Sequence, residues 1–366
     1  MKKELFFDAA STTPLDPRVE EAMIEAREYW GNENSKHLAG FEARKQFDRH
    51  MSTIAEVLQV SPDRLAVTYS GTDSNRRVIH SVAKRVGLDR CFCSAVEHSS
   101  ILDEMGEGNR FNIQGSIFNI QDPKLICLMQ ANSETGTIYG AEALKSQYPE
   151  SLLLRDYSQS YAKGLQPDFQ YADFGTFSPQ KIYGPKMVGL TYLRDPQNFQ
   201  EISKDSHTKS IPQVAGMAKA FELHASEGPD YLQKIQKWDA QIIDYIRENI
   251  PDVKFHEEEK DRVKGLINVA FKGLRGGELM TVLSEQEQIA ISTGSACTSD
   301  IMSPTEVIKH LEPDPTWQYP IRLGLHKYLT DQSVSDFCEM LGHYVGELRK
   351  KGCHPEFISG SCSIKG

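Results

Sequence analysis

The sequence of 366 residues lacks any apolar run of the roughly 20 residues that a membrane-spanning helix needs, and it has no long basic stretch. Lysine and arginine number 41 against 51 aspartate and glutamate residues, so the formal net charge is −10. An acidic chain without a basic run argues against nucleic acid or an anionic membrane as the main partner. We therefore expect neither direct nucleic-acid binding nor membrane association.

A disulfide framework is also missing, because the seven cysteines are odd in number and irregular in spacing. No Asn-x-Ser/Thr glycosylation acceptor occurs, and the first residues turn polar at Asp8 before a secretory apolar core could form. Scattered free thiols fit a reducing compartment. We expect a cytoplasmic location.

Several common ligand-binding motifs are absent, among them Gly-x-Gly-x-x-Gly, the P-loop and His-Glu-x-x-His. Cys91 and Cys93 have no second ligand pair that would complete a zinc site. Cys127 lies inside an apolar run, which is typical of a core residue. The pair Cys353-His354 near the end is only a weak metal candidate, so no metal is expected.

What the sequence does contain is an alternation of short apolar β-rich runs with helical patterns. This alternation predicts an α/β fold in which helices cover a mostly parallel sheet. The expected strands are residues 65–69, 92–96, 125–129, 152–154, 174–177 and 188–193, with helices such as 74–85 and 101–107 between them.

A proline and a glycine mark the expected domain boundary. Helical patterns at 212–225 and 230–250 are separated by Glu227-Gly228-Pro229, which predicts a break. We assign residues 16–226 to a large domain, and 1–15 with 227–350 to a smaller α+β domain. The smaller domain should hold strands near 266–271, 288–292 and 319–325 and a closing helix from Asp331. Residues 351–366 are expected to form an irregular tail.

The first candidate functional segment is a strand-to-helix turn, residues 69–75, with the sequence Tyr-Ser-Gly-Thr-Asp-Ser-Asn. Free N–H groups at a helix N-terminus, together with the hydroxyls of Ser70 and Thr72, can bind a phosphate. An ordinary helix cap without a ligand is the alternative, because serine and threonine are common N-caps.

Two charged residues come shortly after predicted strands: Asp156 after residues 152–154 and Lys181 after residues 174–177. A carboxylate at the C-terminal end of a strand lies where open α/β sheets bind ligands, and an aspartate can keep a pyridinium nitrogen protonated. Lys181 lies in a Ser/Pro/Gly-rich loop and is well placed to form a Schiff base. The alternatives are a helix cap for Asp156 and a solvated surface charge for Lys181. The neighbouring phosphate donors Ser178 and Gln180 favour a cofactor site.

Cys297 lies in a loop of small residues, Ser-Thr-Gly-Ser-Ala-Cys-Thr-Ser, that begins at Ser292. A thiolate nucleophile needs access and a lowered pKa, and such a loop leaves the sulfur reachable. A buried structural cysteine fits these polar neighbours poorly.

In this order the segments resemble the cysteine desulfurases of the NifS/IscS group, within the aminotransferase class V family. The resemblance covers nearly the whole chain and is carried by Phe7-Asp-Ala-Ala-Ser-Thr-Thr-Pro14, Gly31-Asn-Glu-Asn-Ser-Lys-His37, Val96-Glu-His-Ser99, the Lys181 and Cys297 loops, and Arg322. It implies fold type I of the pyridoxal-phosphate-dependent transferases. That fold has a large domain with a mostly parallel seven-stranded sheet and a smaller α+β domain.

The resemblance also implies roles for individual residues. The catalytic residues would be Lys181, which anchors pyridoxal 5′-phosphate, His98, which stacks on its ring and moves protons, and Cys297, which receives sulfur. Arg322 would clamp the substrate carboxylate, with Asn32 as a second substrate contact. The implied cofactor contacts are Gly71, Thr72, His98, Ser133, Asp156 (at the pyridinium nitrogen), Gln159 (at the phenolic oxygen), Ser178, Gln180, Lys181 and Thr208.

The implied reaction removes sulfur from L-cysteine, leaving L-alanine and a persulfide on Cys297 that a sulfur-acceptor protein collects. That acceptor would be an iron–sulfur scaffold or a tRNA-thiolation relay. Thr208 would reach the phosphate of the neighbouring subunit, which implies a homodimer.

The chain departs from the family pattern at several positions. Gln180 replaces the usual histidine, Ser133 replaces an asparagine, Leu-Gly follows Arg322, and residues 200–205 replace a glycine-rich segment. Two alternatives therefore stay open. One is another pyridoxal-phosphate-dependent cysteine or cystine lyase on the same fold, and the other is a non-catalytic sulfur-transfer scaffold.

Overall fold

The computed structural model describes residues 2–113, 118–203, 208–256, 261–294 and 302–351. Cys297, Cys353 and His354 lie outside these ranges, as does nearly all of the tail expected at 351–366. Within the described ranges, no helix is long and apolar enough to cross a membrane.

In the part of the chain that the structure describes, the larger of two sheets has seven strands in the order β1-β7-β6-β5-β4-β2-β3. Only β7 runs against the others, since it pairs antiparallel with both β1 and β6 while the remaining pairs are parallel. The predicted mostly parallel seven-stranded sheet is confirmed. The strands are β1 (Leu65–Thr68), β2 (Cys91–Ser94), β3 (Arg110–Phe111), β4 (Leu125–Cys127), β5 (Leu152–Asp156), β6 (Phe174–Phe177) and β7 (Gly189–Leu193).

The smaller sheet is antiparallel, in the order β10-β9-β8. Its strands are β8 (Val253–Phe255), β9 (Leu266–Phe271) and β10 (Ile321–Gly324). The helices are α1 (Pro17–Glu25), α2 (Leu38–Leu58), α3 (Gly71–Val86), α4 (Ser99–Leu102), α5 (Glu142–Gln147), α6 (Ser158–Ala162), α7 (Gln200–Ser203), α8 (Ile211–Asn249), α9 (Gly276–Glu287), α10 (Glu306–Leu311) and α11 (Asp331–Lys351).

Two local predictions are wrong. The helix expected at 101–107 ends at Leu102, because Gly106 and Gly108 follow and glycine disfavours helix. The strand expected at 288–292 is reduced to isolated bridges, Phe6 with Ala290 and Ser292 with Arg322. The closing helix from Asp331 is confirmed.

The predicted helix break at Glu227-Gly228-Pro229 is also wrong, because α8 runs without interruption for 39 residues with Pro229 inside it. A proline inside a helix loses its N–H hydrogen bond and its ring crowds the carbonyl four residues earlier, but packing on both sides can offset that cost. The first half of α8 packs on the large-sheet core through residues such as Phe221, and the second half packs on the small-sheet core through residues such as Trp238. The domain limits 16–226 and 227–350 stay a prediction.

Candidate active site

A cavity of about 220 Å³ opens beside the large sheet, where the chain leaves the C-terminal ends of β2, β4, β5 and β6. This is the edge at which open α/β sheets bind ligands. Most side chains singled out in the sequence meet here, although their individual roles stay predictions. Among the residues lining the cavity are Gly71, Thr72, His98, Ser133, Asp156, Gln159, Ser178, Gln180, Lys181 and Arg322.

One end of the cavity is built by the start of α3. Ser70 caps this 16-residue helix by accepting the Asp73 N–H at 3.0 Å, and the first N–H groups of a helix have no partner within it. Glycine at position 71 lets the start of α3 approach Ser178 closely, because a Cβ there would lie 2.2 Å from Ser178 Oγ. Ser158 donates to that same Ser178 oxygen at 3.2 Å. Backbone donors and hydroxyls therefore converge on a space that suits an anion.

Asp156, the last residue of β5, is held by two donors. Its Oδ1 accepts the Ser158 N–H at 2.8 Å, and its Oδ2 accepts from Asn75 Nδ2 at 3.2 Å. The buried Asn75 is itself fixed, because it also donates to Ser100 at 3.0 Å and accepts from Thr176 at 2.8 Å. The carboxylate is thus fixed in orientation at the cavity wall.

His98 lies where β2 leads into α4. Its Nδ1 accepts the Ser100 N–H at 3.1 Å, which leaves the ring proton on Nε2. Burial lowers the pKa of His98, and the nearby charges of Lys181 and Arg322 lower it further, against an opposing effect of Asp156. The imidazole is therefore neutral at pH 7.

Lys181 follows β6 and contacts the N-terminal segment of the chain. Its Nζ donates to the carbonyl of Ala10 at 2.7 Å and to that of Ser11. Gln159 Nε2 donates to the same Ala10 carbonyl at 2.7 Å, and its buried Oε1 has no hydrogen-bond partner in the described part of the chain. Gln180 joins the same segment, since Thr13 donates to its carbonyl at 2.9 Å. The N-terminal segment thus orders the Lys181 side of the cavity.

Arg322, in β10 of the small sheet, closes the opposite wall and has a side chain that is only 3 % exposed. Nη1 donates to the Ser133 carbonyl at 3.0 Å, and Nη2 donates to Asp8 Oδ1 at 2.8 Å and to Ser11 Oγ at 2.9 Å. The Leu-Gly that follows Arg322 has a structural reason. A Cβ at Gly324 would lie 2.4 Å from the Ala10 nitrogen, so glycine lets the N-terminal segment pack directly on β10.

Two predicted site residues lie elsewhere. Asn32 and Thr208 are exposed and bonded to each other, with Asn32 Nδ2 donating to Thr208 Oγ1 at 2.9 Å. Neither lines the cavity within this single chain. Three large apolar residues nearby in the sequence are unusually exposed, Trp30 at 82 %, Leu38 at 76 % and Phe41 at 60 %.

Among the residues that contact the site residues and were missed from the sequence are Asp8, Ser11, Asn75 and Ser100. Asp8 and Ser11 belong to a segment that carried the family resemblance, and Asn75 ends the 69–75 turn that was predicted to bind a phosphate. Their proximity in sequence to those motifs was the available signal. Their contacts, with partners up to 314 positions away, could not be deduced from it.

A phosphorylated pyridine cofactor fits these walls. The glycine at position 71 leaves room for a phosphate at the α3 N-terminus, and Asp156 presents an oriented carboxylate. Lys181 supplies an amine, and Gln159 offers a buried oxygen with spare hydrogen-bonding capacity. No cluster of three or more His, Cys, Asp or Glu side chains in the described ranges could hold a metal ion.

Comparison with known proteins agrees with this geometry. The rat protein named cysteine desulfurase is 27 % identical over 99 % of this chain and 87 % of its own length. Cysteine desulfurase IscS of Pseudoalteromonas translucida is 26 % identical over 96 % of this chain and 95 % of its own. A solved NifS-like protein has the same fold, with a TM-score of 0.81 and 24 % identity over 94 % of this chain and all of that one. Residues 5–337 match the family model of aminotransferase class V, and the chain therefore belongs to that family.

Proposed function

We propose that this protein is a pyridoxal-phosphate-dependent cysteine desulfurase. It would convert L-cysteine to L-alanine and leave the sulfur as a persulfide on Cys297. The observation that carries the proposal is the meeting of Lys181, Asp156 and Arg322 around one cavity at the start of α3. The names of relatives that match almost the full chain support the same reaction.

The cavity offers a separate holder for each part of the cofactor. Gly71, Thr72 and Ser178 would bind the phosphate, Asp156 the pyridinium nitrogen, and Lys181 the carbonyl carbon. When bound, the cofactor supplies an electron-withdrawing ring that makes the substrate Cα–H acidic. Because Asn75 and the Ser158 N–H hold Asp156 in place, its charge needs no rearrangement to stabilise that ring.

The chain's own residues would then position the substrate and move its protons. Arg322 would bind the carboxylate, and Lys181 Nζ, once released from the cofactor, would take and return protons at carbon. His98, whose Nε2 carries the ring proton, would serve as a second proton carrier beside Lys181.

The sulfur step would take place between Cys297 and the thiol of the cofactor-bound substrate, and the electron pair of the broken C–S bond would stay on the substrate carbon. The Cys297 thiolate would attack the substrate sulfur, so that an S–S bond forms as the C–S bond breaks. The carbon that loses sulfur gains a proton and becomes the methyl group of L-alanine. A persulfide is a transferable form of sulfur, and an acceptor protein, an iron–sulfur scaffold or a tRNA-thiolation relay, would remove it.

A homodimer is part of the proposal. Asn32 donates a hydrogen bond to Thr208 and lies in a stretch of chain with three exposed apolar residues, Trp30, Leu38 and Phe41. Exposed apolar clusters commonly mark protein interfaces. On a second subunit, the Asn32–Thr208 pair would reach the partner's cavity.

Phe41→Glu should therefore give a monomer with weakened cofactor binding, as measured by light scattering and absorbance. Leu88→Glu, which replaces an exposed leucine elsewhere, should leave the dimer intact.

Product analysis tests the reaction directly. Wild-type protein given L-cysteine should release L-alanine and carry one persulfide. Cys297→Ala should lose both products and keep the cofactor's absorbance, and Cys362→Ala, which removes a cysteine of the tail, should behave as wild type. A wild type that releases pyruvate and sulfide from L-cysteine in place of L-alanine would indicate a lyase. A protein that pyridoxal phosphate cannot colour would leave only the scaffold alternative.

A further inference from the structure

The guanidinium of Arg322 is already occupied by protein acceptors. Both hydrogens of Nη2 are used, one by Asp8 Oδ1 at 2.8 Å and the other by Ser11 Oγ at 2.9 Å. One hydrogen of Nη1 goes to the Ser133 carbonyl at 3.0 Å. Nε is buried and has no partner among the residues that the structure describes.

The shape of a guanidinium limits what a ligand can do with this arrangement. A carboxylate can bind in the bidentate mode along two edges, the pair Nη1 and Nη2 or the pair Nε and Nη2. Both edges require a hydrogen of Nη2. A substrate carboxylate therefore reaches Arg322 in the bidentate mode only by replacing Asp8 or Ser11.

Asp8 and Ser11 hold these positions as a linked pair. Ser11 Oγ donates to Asp8 Oδ2 while it accepts from Arg322, so the three side chains form a closed triangle. The main chain fixes this triangle against β10, because Gly324 N donates to the Phe7 carbonyl at 2.7 Å and Ala9 N donates to the Gly324 carbonyl at 3.0 Å. The pair is thus built into the wall of the cavity.

We propose that Asp8 is an internal competitor for the substrate carboxylate on Arg322, and that it lowers the affinity of this subsite for ligands that carry a carboxylate. The inference rests on the proposed function, because it takes Arg322 as the residue that binds the substrate. A buried arginine must be paired, and Asp8 provides that pair. An entering carboxylate exchanges one ion pair for another, whereas a neutral group would leave Arg322 without an anion. Only a ligand that carries a carboxylate therefore competes with Asp8 for Arg322.

Calorimetric titration of the holoenzyme with L-alanine tests the proposal without needing turnover. Asp8→Asn should bind L-alanine about tenfold more tightly than wild type, which corresponds to one charge-assisted hydrogen bond at the low end of its range. Ser11→Ala should also tighten binding, by a smaller factor, and it provides the test if Asp8→Asn does not fold. Ethylamine, which has the same amine without a carboxylate, should gain nothing in either variant. Asp63→Asn, which removes an exposed negative charge elsewhere, should bind L-alanine as wild type does.

Unchanged or weaker L-alanine binding in the folded Asp8 and Ser11 variants would overturn the proposal, and Asp8 would then only orient Arg322. An equal gain for ethylamine would overturn it as well. The two proposals can fail separately. If the wild type makes no alanine from cysteine but Asp8→Asn still binds L-alanine more tightly, the desulfurase proposal is wrong and the inference about Asp8 stands. If the wild type is a desulfurase and Asp8→Asn shows no such gain, only the inference about Asp8 is wrong.

Discussion

The two walls of the cavity are built in different ways. The sheet wall, defined here as Asn75, His98, Asp156 and Ser178, lies on neighbouring strands of one sheet and on the helices that follow them. The Arg322 wall, defined as Asp8, Ser11, Ser133 and Arg322, joins the N-terminal segment, the chain after β4 and a strand of the other sheet. One wall is a continuous scaffold and the other is a meeting point of separate elements.

This difference suits the proposed division of labour. The sheet wall faces a cofactor that does not change between turnovers, so a rigid polar network can hold it. The Arg322 wall faces the substrate, and two of the departures from the family, Ser133 and the Leu-Gly after Arg322, lie there. Ser133 contacts Arg322 through its main-chain carbonyl, which any residue could supply. The change from asparagine therefore costs Arg322 no hydrogen bond.

The largest effect is expected on the sheet wall. Asp156→Asn removes the negative charge opposite the pyridinium nitrogen, so kcat for alanine formation should fall by about 100-fold or more, while KM for cysteine changes little. Single-turnover absorbance with L-cysteine and steady-state alanine assays measure the two quantities. A matching rise in KM would mean that the two walls are not functionally separate.

Arg322→Lys should show the reverse pattern. Lysine keeps the charge but loses the planar pair of donors, so KM for cysteine should rise by about 10- to 100-fold. Cofactor absorbance and its dissociation constant should remain those of the wild type. Loss of the cofactor from Arg322→Lys would contradict the assignment of this wall to the substrate.

The same difference explains what could be predicted from the sequence. Lys181, Asp156 and the 69–75 turn lie in short motifs at strand ends, where local pattern and sheet geometry together indicate a site. The side chains of Asp8 and Ser11 contact Arg322, which lies more than 300 residues away, and periodicity carries no information about such a contact. The continuity of α8 through Pro229 was missed for a related reason, because two separate cores bury its halves.

Beneath the sheet wall, the buried Glu97 should make stability depend on pH. Its Oε1 accepts from Ser94 at 2.5 Å and from the Met129 N–H at 2.9 Å, but its Oε2 has no partner among the described residues. Burial raises the pKa of Glu97 from 4.5 to about 7. Between these values the folded state binds the proton more tightly than the unfolded state, so the Glu97 contribution to stability falls as pH rises.

Glu97→Gln should remove that loss. Relative to wild type, the variant should gain about 3 kcal/mol in free energy of unfolding between pH 4.5 and pH 8, as measured by urea denaturation at several pH values. The exposed Glu56→Gln should show no such trend. A gain that is the same at every pH would mean that Glu97 is ionised throughout this range in the folded protein.

The smallest effect concerns Gln180, the neighbour of Lys181, which also lines the cavity. Thr12 Oγ1 donates to Gln180 Oε1 at 3.4 Å, a long bond that is easily given up. Gln180→His would restore the family residue and add a positive charge near the phosphate when protonated. Cofactor affinity should increase about threefold at pH 6, the size of an ion pair in a partly exposed site. The gain should disappear at pH 8.5, where the imidazole is neutral. A gain that persists at pH 8.5 would assign the improvement to ring shape or hydrogen bonding, and not to the charge of the histidine.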